Sequence, residues 1–212
     1  MRRRRKISSP DLRYVIAFAV IATIATSGVA YTILYPAPPE RFFAMYVLGS
    51  TGMAEHYYPN DNPNIGVGQE VHWTLGVYNH MGELEYVVVR VKLINSTTAS
   101  PNDLTGTPSP AAAIFEFRRV LVGNETWSIP FTWQMTNLTQ KANDVQITGL
   151  LLNDNPLSGR LASAESGYNF RFVFELWFYD ERIADLTFSW QTNMGPRSVW
   201  NQLWFNGTIT GQ

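Results

Sequence analysis

From Tyr14 to Tyr35 the chain runs for 22 residues without a charge, "YVIAFAVIATIATSGVAYTILY". At 1.5 Å per residue an α-helix of that length is about 33 Å long, enough to cross a hydrocarbon core of about 30 Å. Tyr14, Tyr31 and Tyr35 stand near its ends, where aromatic rings favour the membrane interface. Arg2, Arg3, Arg4, Arg5 and Lys6 precede it, and clustered positive charge predicts a cytoplasmic N-terminus with everything beyond about residue 36 outside. Gly28-Val29-Ala30 could serve as the cleavage site of a signal peptide, but the apolar run is longer than such segments need and continues past that point. A single-pass anchor is therefore expected, stopped by Pro36, Pro38 and Pro39.

Ala19, Ala22, Thr23, Thr26, Ser27 and Ala30 recur at spacings of three and four and form a stripe of small residues along this helix. Small stripes let helix backbones approach closely, so these six residues are the expected contact with another membrane protein or a second copy. The alternative is that the hydroxyls bond only carbonyls of their own helix.

Net charge sharpens the partition. Residues 1–35 hold six basic side chains against Asp11 alone, whereas the remaining 177 residues hold ten basic and sixteen acidic ones. A mildly acidic outer part does not attract phosphate backbones, so nucleic acid is not an expected partner; membrane lipid is. The chain has no cysteine, which excludes disulfides, thiolate metal sites and thiol nucleophiles.

Beyond residue 40 the apolar period changes to two. Val71, Trp73, Leu75 and Val77 alternate with polar or small residues, as do Val87, Val89, Val91 and Leu93, then Phe170, Phe172, Phe174, Leu176 and Phe178. Leu186, Phe188 and Trp190 repeat the pattern, and 41–48, 114–122, 126–135 and 145–152 are further strand candidates. Eight such segments predict an all-β fold, an antiparallel, immunoglobulin-like β-sandwich. The expected organisation is a basic cytoplasmic tail (1–13), a transmembrane helix (14–35), a Pro-rich spacer (36–40), the extracytoplasmic sandwich (41–192) and an aromatic C-terminal segment (193–212). The Ser/Thr/Pro-rich run between Asn95 and Ala112 predicts an exposed loop, and Arg118-Arg119 a β-bulge. In the last segment Val199, Trp200, Leu203 and Trp204 lie on one helical face or alternate poorly as a strand; it is expected to pack onto the sandwich or cover an edge strand, or to offer an aromatic patch to membrane or partner.

"ERFFAMYVLGSTGMAEHYYPN", "VGQEVHWTLGVYNHMGELEYVVVRVKL" and "YNFRFVFELWFYDE" together resemble the archaeal family called domain of unknown function 1616. The matching positions are Tyr46, Leu48, Gly49, Gly52, Ala54, Tyr58, Pro59, Gly76, Asn79, His80 and Tyr86. The chain departs from the pattern in its single membrane helix, in Met81 where a glutamate is expected, and in the 95–112 loop and the tail. The resemblance implies an envelope-associated, membrane-anchored sandwich and carries no catalytic residue with it.

His72 and His80 lie on one face of one strand but about 27 Å apart, too far to share a metal ion. Asn79-His80-Met81-Gly82 lies between two alternating runs, where it is expected to turn the chain, with the His80 ring bonding a neighbouring strand. No nucleophile elbow, phosphate loop, zinc helix or calcium loop occurs. No cofactor and no catalytic activity are expected. Asn95, Asn124, Asn137 and Asn206 begin Asn-x-Ser/Thr sequons and are candidate glycan acceptors. The expected role is a non-enzymatic accessory or envelope component acting through contact, with Tyr78, Trp177 and Tyr179 as exposed aromatics. The alternatives are a carbohydrate-binding surface, and an envelope enzyme built on His56, His80 and loop carboxylates.

Overall fold

The computed structural model describes residues 12–35 and 40–209. The basic tail up to residue 11, residues 36–39 of the spacer and residues 210–212 lie outside the described residues. The chain divides into two units, Met1–Glu40 and Arg41–Gln212.

In the first unit, helix α1 (Leu12–Leu34) has 23 residues, about 34 Å at the standard rise, and buries none of them. Such length and composition suffice to cross a membrane. Within the stripe, Thr23 Oγ1 donates to the Ala19 carbonyl at 2.8 Å and Thr26 Oγ1 to that of Ala22 at 2.6 Å. These bonds satisfy the hydroxyl protons and leave oxygen lone pairs and a shallow face.

In the second unit, thirteen strands follow among the described residues. They are β1 (Phe42–Leu48), β2 (Asn64–Gly66), β3 (Glu70–His80), β4 (Glu85–Asn95), β5 (Phe115–Leu121), β6 (Thr126–Lys141), β7 (Asp144–Leu152), β8 (Asn155–Glu165), β9 (Phe170–Asp180), β10 (Asp185–Thr187), β11 (Ser189–Thr192), β12 (Gly195–Ser198) and β13 (Trp200–Thr208). One sheet has the order β1-β3-β6-β7-β8; the other has β2-β13-β9-β4-β5, with β10 beside β9. All pairings are antiparallel except β2 with β13. Strands β11 and β12 form a separate hairpin.

The period-two pattern explains the layering. Inward residues of β3 and β6 meet inward residues of β9 and β13. Trp73 stacks on Phe131 at 5.7 Å, and Phe131 meets Phe174 edge-on at 5.0 Å. Trp133 packs against Phe172 at 5.0 Å and Phe205 at 4.7 Å. This two-sheet contact is the sandwich expected from the alternation, and burying rings of this size supplies its main driving force.

Four sequence-based expectations need correction. First, β3 and β4 are not a hairpin. They belong to different sheets, and the 81–84 segment carries the chain between them. His80 is therefore the last residue of β3, paired with Phe42, and not a turn residue. Second, of the two forms open to the C-terminal segment it takes the strand, and as a member of the sheet rather than a cover over it. Strand β13 lies inside the second sheet between β2 and β9, with Trp200 opposite Glu175 and Phe205 opposite Phe170. Third, Arg118-Arg119 forms no bulge, since β5 pairs with β4 without a break from Glu85↔Leu121 to Val91↔Phe115. As the edge strand of its sheet, β5 bears exposed arginines on both faces. The irregularities fall instead at Met135/Asn137 and Asn137/Leu138 in β6 and at Ile147/Gly149 in β7. Fourth, the segment after Asn95 is a strap tied to the outer face of the second sheet.

Candidate functional site

That outer face buries charged side chains beneath the strap. Lys92 on β4 and Glu175 on β9 are almost wholly buried, with Nζ 2.8 Å from the carboxylate. Lys92 Nζ also donates to the Ser109 carbonyl at 2.6 Å, and the Ser109 N–H donates to Glu175 Oε1 at 2.7 Å. Trp177 Nε1 donates to the other carboxylate oxygen at 3.0 Å. One row along, Arg171 donates to Ser100 Oγ at 2.7 Å, Gln202 Oε1 at 2.8 Å and the Thr98 carbonyl at 2.6 Å, while its guanidinium lies 4.5 Å from the Trp204 ring. Burial pulls the Arg171 pKa below its usual value. Thr98, Ser100 and Ser109 all belong to the strap, so these ions hold it in place. Buried charges persist only when paired and hydrogen-bonded in this way. The sequence signal was available: single charges at alternate positions of two otherwise apolar strands, "VVVRVKLIN" and "FRFVFELWF".

The aromatic residues expected to be exposed do not form one platform, and Tyr78 and Trp177 are half-buried. Tyr78 belongs to the first sheet, whereas Trp177 and Tyr179 belong to the second. Arg90 covers the Trp177 ring at 3.9 Å, and Phe188 packs against it at 5.8 Å.

The histidines occupy three separate places. His72 Nδ1 is 3.2 Å from Thr132 Oγ1. His56 sits on an exposed loop with Nδ1 at 2.8 and 3.0 Å from the Asp61 carboxylate oxygens. His80 Nδ1 donates to Asn124 Oδ1 at 2.7 Å, an oxygen that also accepts from the Tyr78 hydroxyl at 3.3 Å. The Phe42 ring lies 4.7 Å from the imidazole. The structure does not bring His56, His80 and loop carboxylates together as the enzyme alternative requires: no group of three or more His, Asp or Glu is placed to hold a metal among the described residues.

Most of the motif residues turn out to hold the fold. Asn79 is fully buried; its Nδ2 reaches the carbonyls of Glu83, Leu121 and Val122 at 2.9 to 3.1 Å, and its Oδ1 accepts from the Met81 N–H at 2.9 Å. It thereby fastens the crossing between sheets to the β5–β6 turn. The Tyr46 ring lies directly over its cross-strand partner Gly76, where any Cβ would overlap the ring. A Cβ on Gly49 would overlap the carbonyls of Glu55 and His56. Gly52 adopts φ +76°, the left-handed region, in the same loop. Pro59 starts a short 3-10 turn, and the Tyr58 hydroxyl before it donates to the Trp204 carbonyl of β13. Burial pushes the Tyr58 phenol up in pKa. Tyr86 sits opposite Val120 in the β4–β5 ladder.

The four sequons have unequal surroundings. Asn95 Nδ2 donates to the Ser163 carbonyl at 2.8 Å, Asn137 Nδ2 to Thr148 Oγ1 at 2.9 Å, and Asn206 Nδ2 to Asn64 Oδ1 at 2.8 Å. Asn124 stands exposed in the β5–β6 turn with φ +64°.

One open groove, of about 330 Å³, runs between Leu93, Ile94 and Asn95 of β4 and the stretch of β8 from Arg160 to Ser163. Strand β8 ends its sheet, and β5 stops pairing with β4 at Val91, so two strand edges face this space. Asp144 lines it too and accepts from Ser163 Oγ at 3.0 Å. Sequence reading missed the groove because Pro156 and Gly159 mark β8 as a turn.

No family model matches this chain, and no curated protein matches it. Among solved structures, the chain is similar to the CARDB domain of a Pyrococcus furiosus protein in complex with di-metal ions, at 11% identity and TM-score 0.36, over 82% of this chain and 99% of that one. It is also similar to a β-glucosidase involved in saponin metabolism from intestinal bacteria, at 11% identity and TM-score 0.38, over 78% of this chain. A β-glucosidase from Listeria innocua in complex with glucose follows at 9% identity and TM-score 0.35, over 82% of this chain. The chain spans only 16% and 17% of these two enzymes.

Proposed function

We propose that this protein is a membrane-anchored, extracytoplasmic β-sandwich that acts by contact, as an accessory subunit of a membrane complex or an envelope component, and not by catalysis. The observation that carries the reading is the contrast between the two charged regions of the sandwich. Lys92, Glu175 and Arg171 are each bonded to the strap, whereas Arg160 lines an open groove between two strand edges. Exposed strand edges are templates for pairing with another chain, and an extended partner segment with an acidic side chain suits this one.

The orientation proposed is N-terminus inside and sandwich outside, supported by the arginine cluster before the helix. The small stripe on α1 offers a second contact, with another membrane helix or a second copy. Kinship with the domain of unknown function 1616 family is part of the same proposal, supported by the motif residues that build the first sheet and its crossing. Cross-linking in native membranes, with a photo-reactive residue at position 160, is expected to recover one partner in stoichiometric yield. Recovery of only the free protein would overturn the reading.

A further inference from the structure

We propose that Asn124 is the N-glycan acceptor of this chain and that Asn95, Asn137 and Asn206 remain bare, an inference that rests on the extracytoplasmic placement of the sandwich. An acceptor sequon must present two groups together: the asparagine Nδ2, and the hydroxyl two residues on. At Asn95 the fold uses both, since Nδ2 is held by the Ser163 carbonyl and Thr97 Oγ1 donates to Asn95 Oδ1 at 2.9 Å. At Asn206 it again uses both, with Nδ2 on Asn64 and Thr208 Oγ1 on the Ile65 carbonyl at 3.2 Å. Asn137 lies within strand β6, at the bulge, with Nδ2 on Thr148.

Asn124 differs in each respect. It lies in a turn, its side chain is exposed, and neither its Nδ2 nor the Thr126 hydroxyl has a hydrogen-bond partner among the described residues. Its Oδ1, by contrast, is gripped by His80 Nδ1 and the Tyr78 hydroxyl. That grip fixes the amide through its oxygen and leaves the nitrogen unengaged. The donor class is a lipid-phosphate-linked oligosaccharide. The Nδ2–C1 bond forms as the bond from C1 to the phosphate oxygen breaks; the lipid phosphate leaves with the electron pair, and the amide proton passes to the transferase base. A second observation points to the same place. Leu84 is 63% exposed and Val122 55% exposed, and the turns bearing them abut where Gly123 lies against Gly82 and Glu83. A glycan on Asn124 would cover these apolar side chains.

The test is glycopeptide mass spectrometry on the full-length protein from its native membrane, beside labelling of intact cells with a membrane-impermeant amine reagent that reads the exposed Lys141. The expected result is a glycan on Asn124, unmodified peptides at the other three sequons, and complete loss of the glycan in Thr126→Val with unchanged thermal stability. Thr126→Val is preferred to Asn124→Gln because glutamine at positive φ adds backbone strain. A bare Asn124 with Lys141 labelled overturns the site while the outer placement stands. Lys141 protected in intact cells overturns the placement and the site with it. Modification of Asn95, Asn137 or Asn206 to the same extent as Asn124 overturns the selection.

Discussion

Lys92 and Glu175 meet diagonally across the β4–β9 pair at 2.8 Å, with side-chain exposures of 4% and 0%. The pair lies under the strap, and each partner is also bonded to Ser109 of that strap. Removing one charge leaves the other buried and unmatched, so Lys92→Met or Glu175→Gln should each destabilise the fold by about 3–5 kcal/mol. Urea unfolding of the soluble sandwich measures this. The double change to Met and Leu should recover much of the loss, but not all, because the Ser109 N–H and Trp177 Nε1 would lose their acceptor at about 1 kcal/mol or more each.

Neighbouring residues of the motif should separate cleanly on mutation. Asn79→Ala strips the partner from a buried amide hub and leaves the Met81 N–H unsatisfied, which should cost about 3 kcal/mol. His80→Ala removes a half-buried ring and should cost about 1 kcal/mol. Equal effects in chemical denaturation would refute the clamp role assigned to Asn79.

The loop holding His56 should respond to pH. The hydrogen bond to Asp61, and next the charge of Asp61, raise the His56 pKa above its ordinary value near 6.5. The folded state therefore binds the proton more tightly than the unfolded one. The stabilisation is complete below the unfolded value and fades as pH rises through the higher folded one. NMR titration of the ring should show the raised midpoint, and Asp61→Asn should bring it back toward the ordinary value. An unchanged midpoint in that variant would remove Asp61 as the cause.

On the membrane helix, Ala22→Leu with Thr26→Leu fills the shallow face and should abolish detergent-stable association of the full-length protein. Leucine at Ile21 and Ile24, off the stripe, should leave it intact. Analytical ultracentrifugation in detergent distinguishes the two outcomes.

The strands with one wet and one buried face were readable from sequence, and β3 is the clearest, with Val71, Trp73, Leu75 and Val77 all inward. Strand β13 was not, because the strap side of its sheet is also lined with large rings. Trp200 donates to Asp103 and Trp204 meets Arg171, so large rings stand on both faces and the alternation disappears. Strand β8 was hidden by Pro156 and Gly159, which an edge tolerates because it lacks a second hydrogen-bonded neighbour. The candidate groove went unseen with it. The His80–Asn124 contact joins residues 44 positions apart, and no local pattern announces a pairing of that kind.

The position of β13 bears on biogenesis. Asn206 pairs with Asn64 and Phe205 with Phe170, so β2 joins the second sheet only through β13, a strand whose paired residues lie 142 positions further along the chain. In the orientation proposed above, β2 and one flank of β9, whose other flank pairs with β4, would stay open until residues 200–208 had left the translocation pore. Closure is then a late, long-range and comparatively slow event, and the interval before it is when a chaperone or protease on the far side of the membrane would meet this polypeptide.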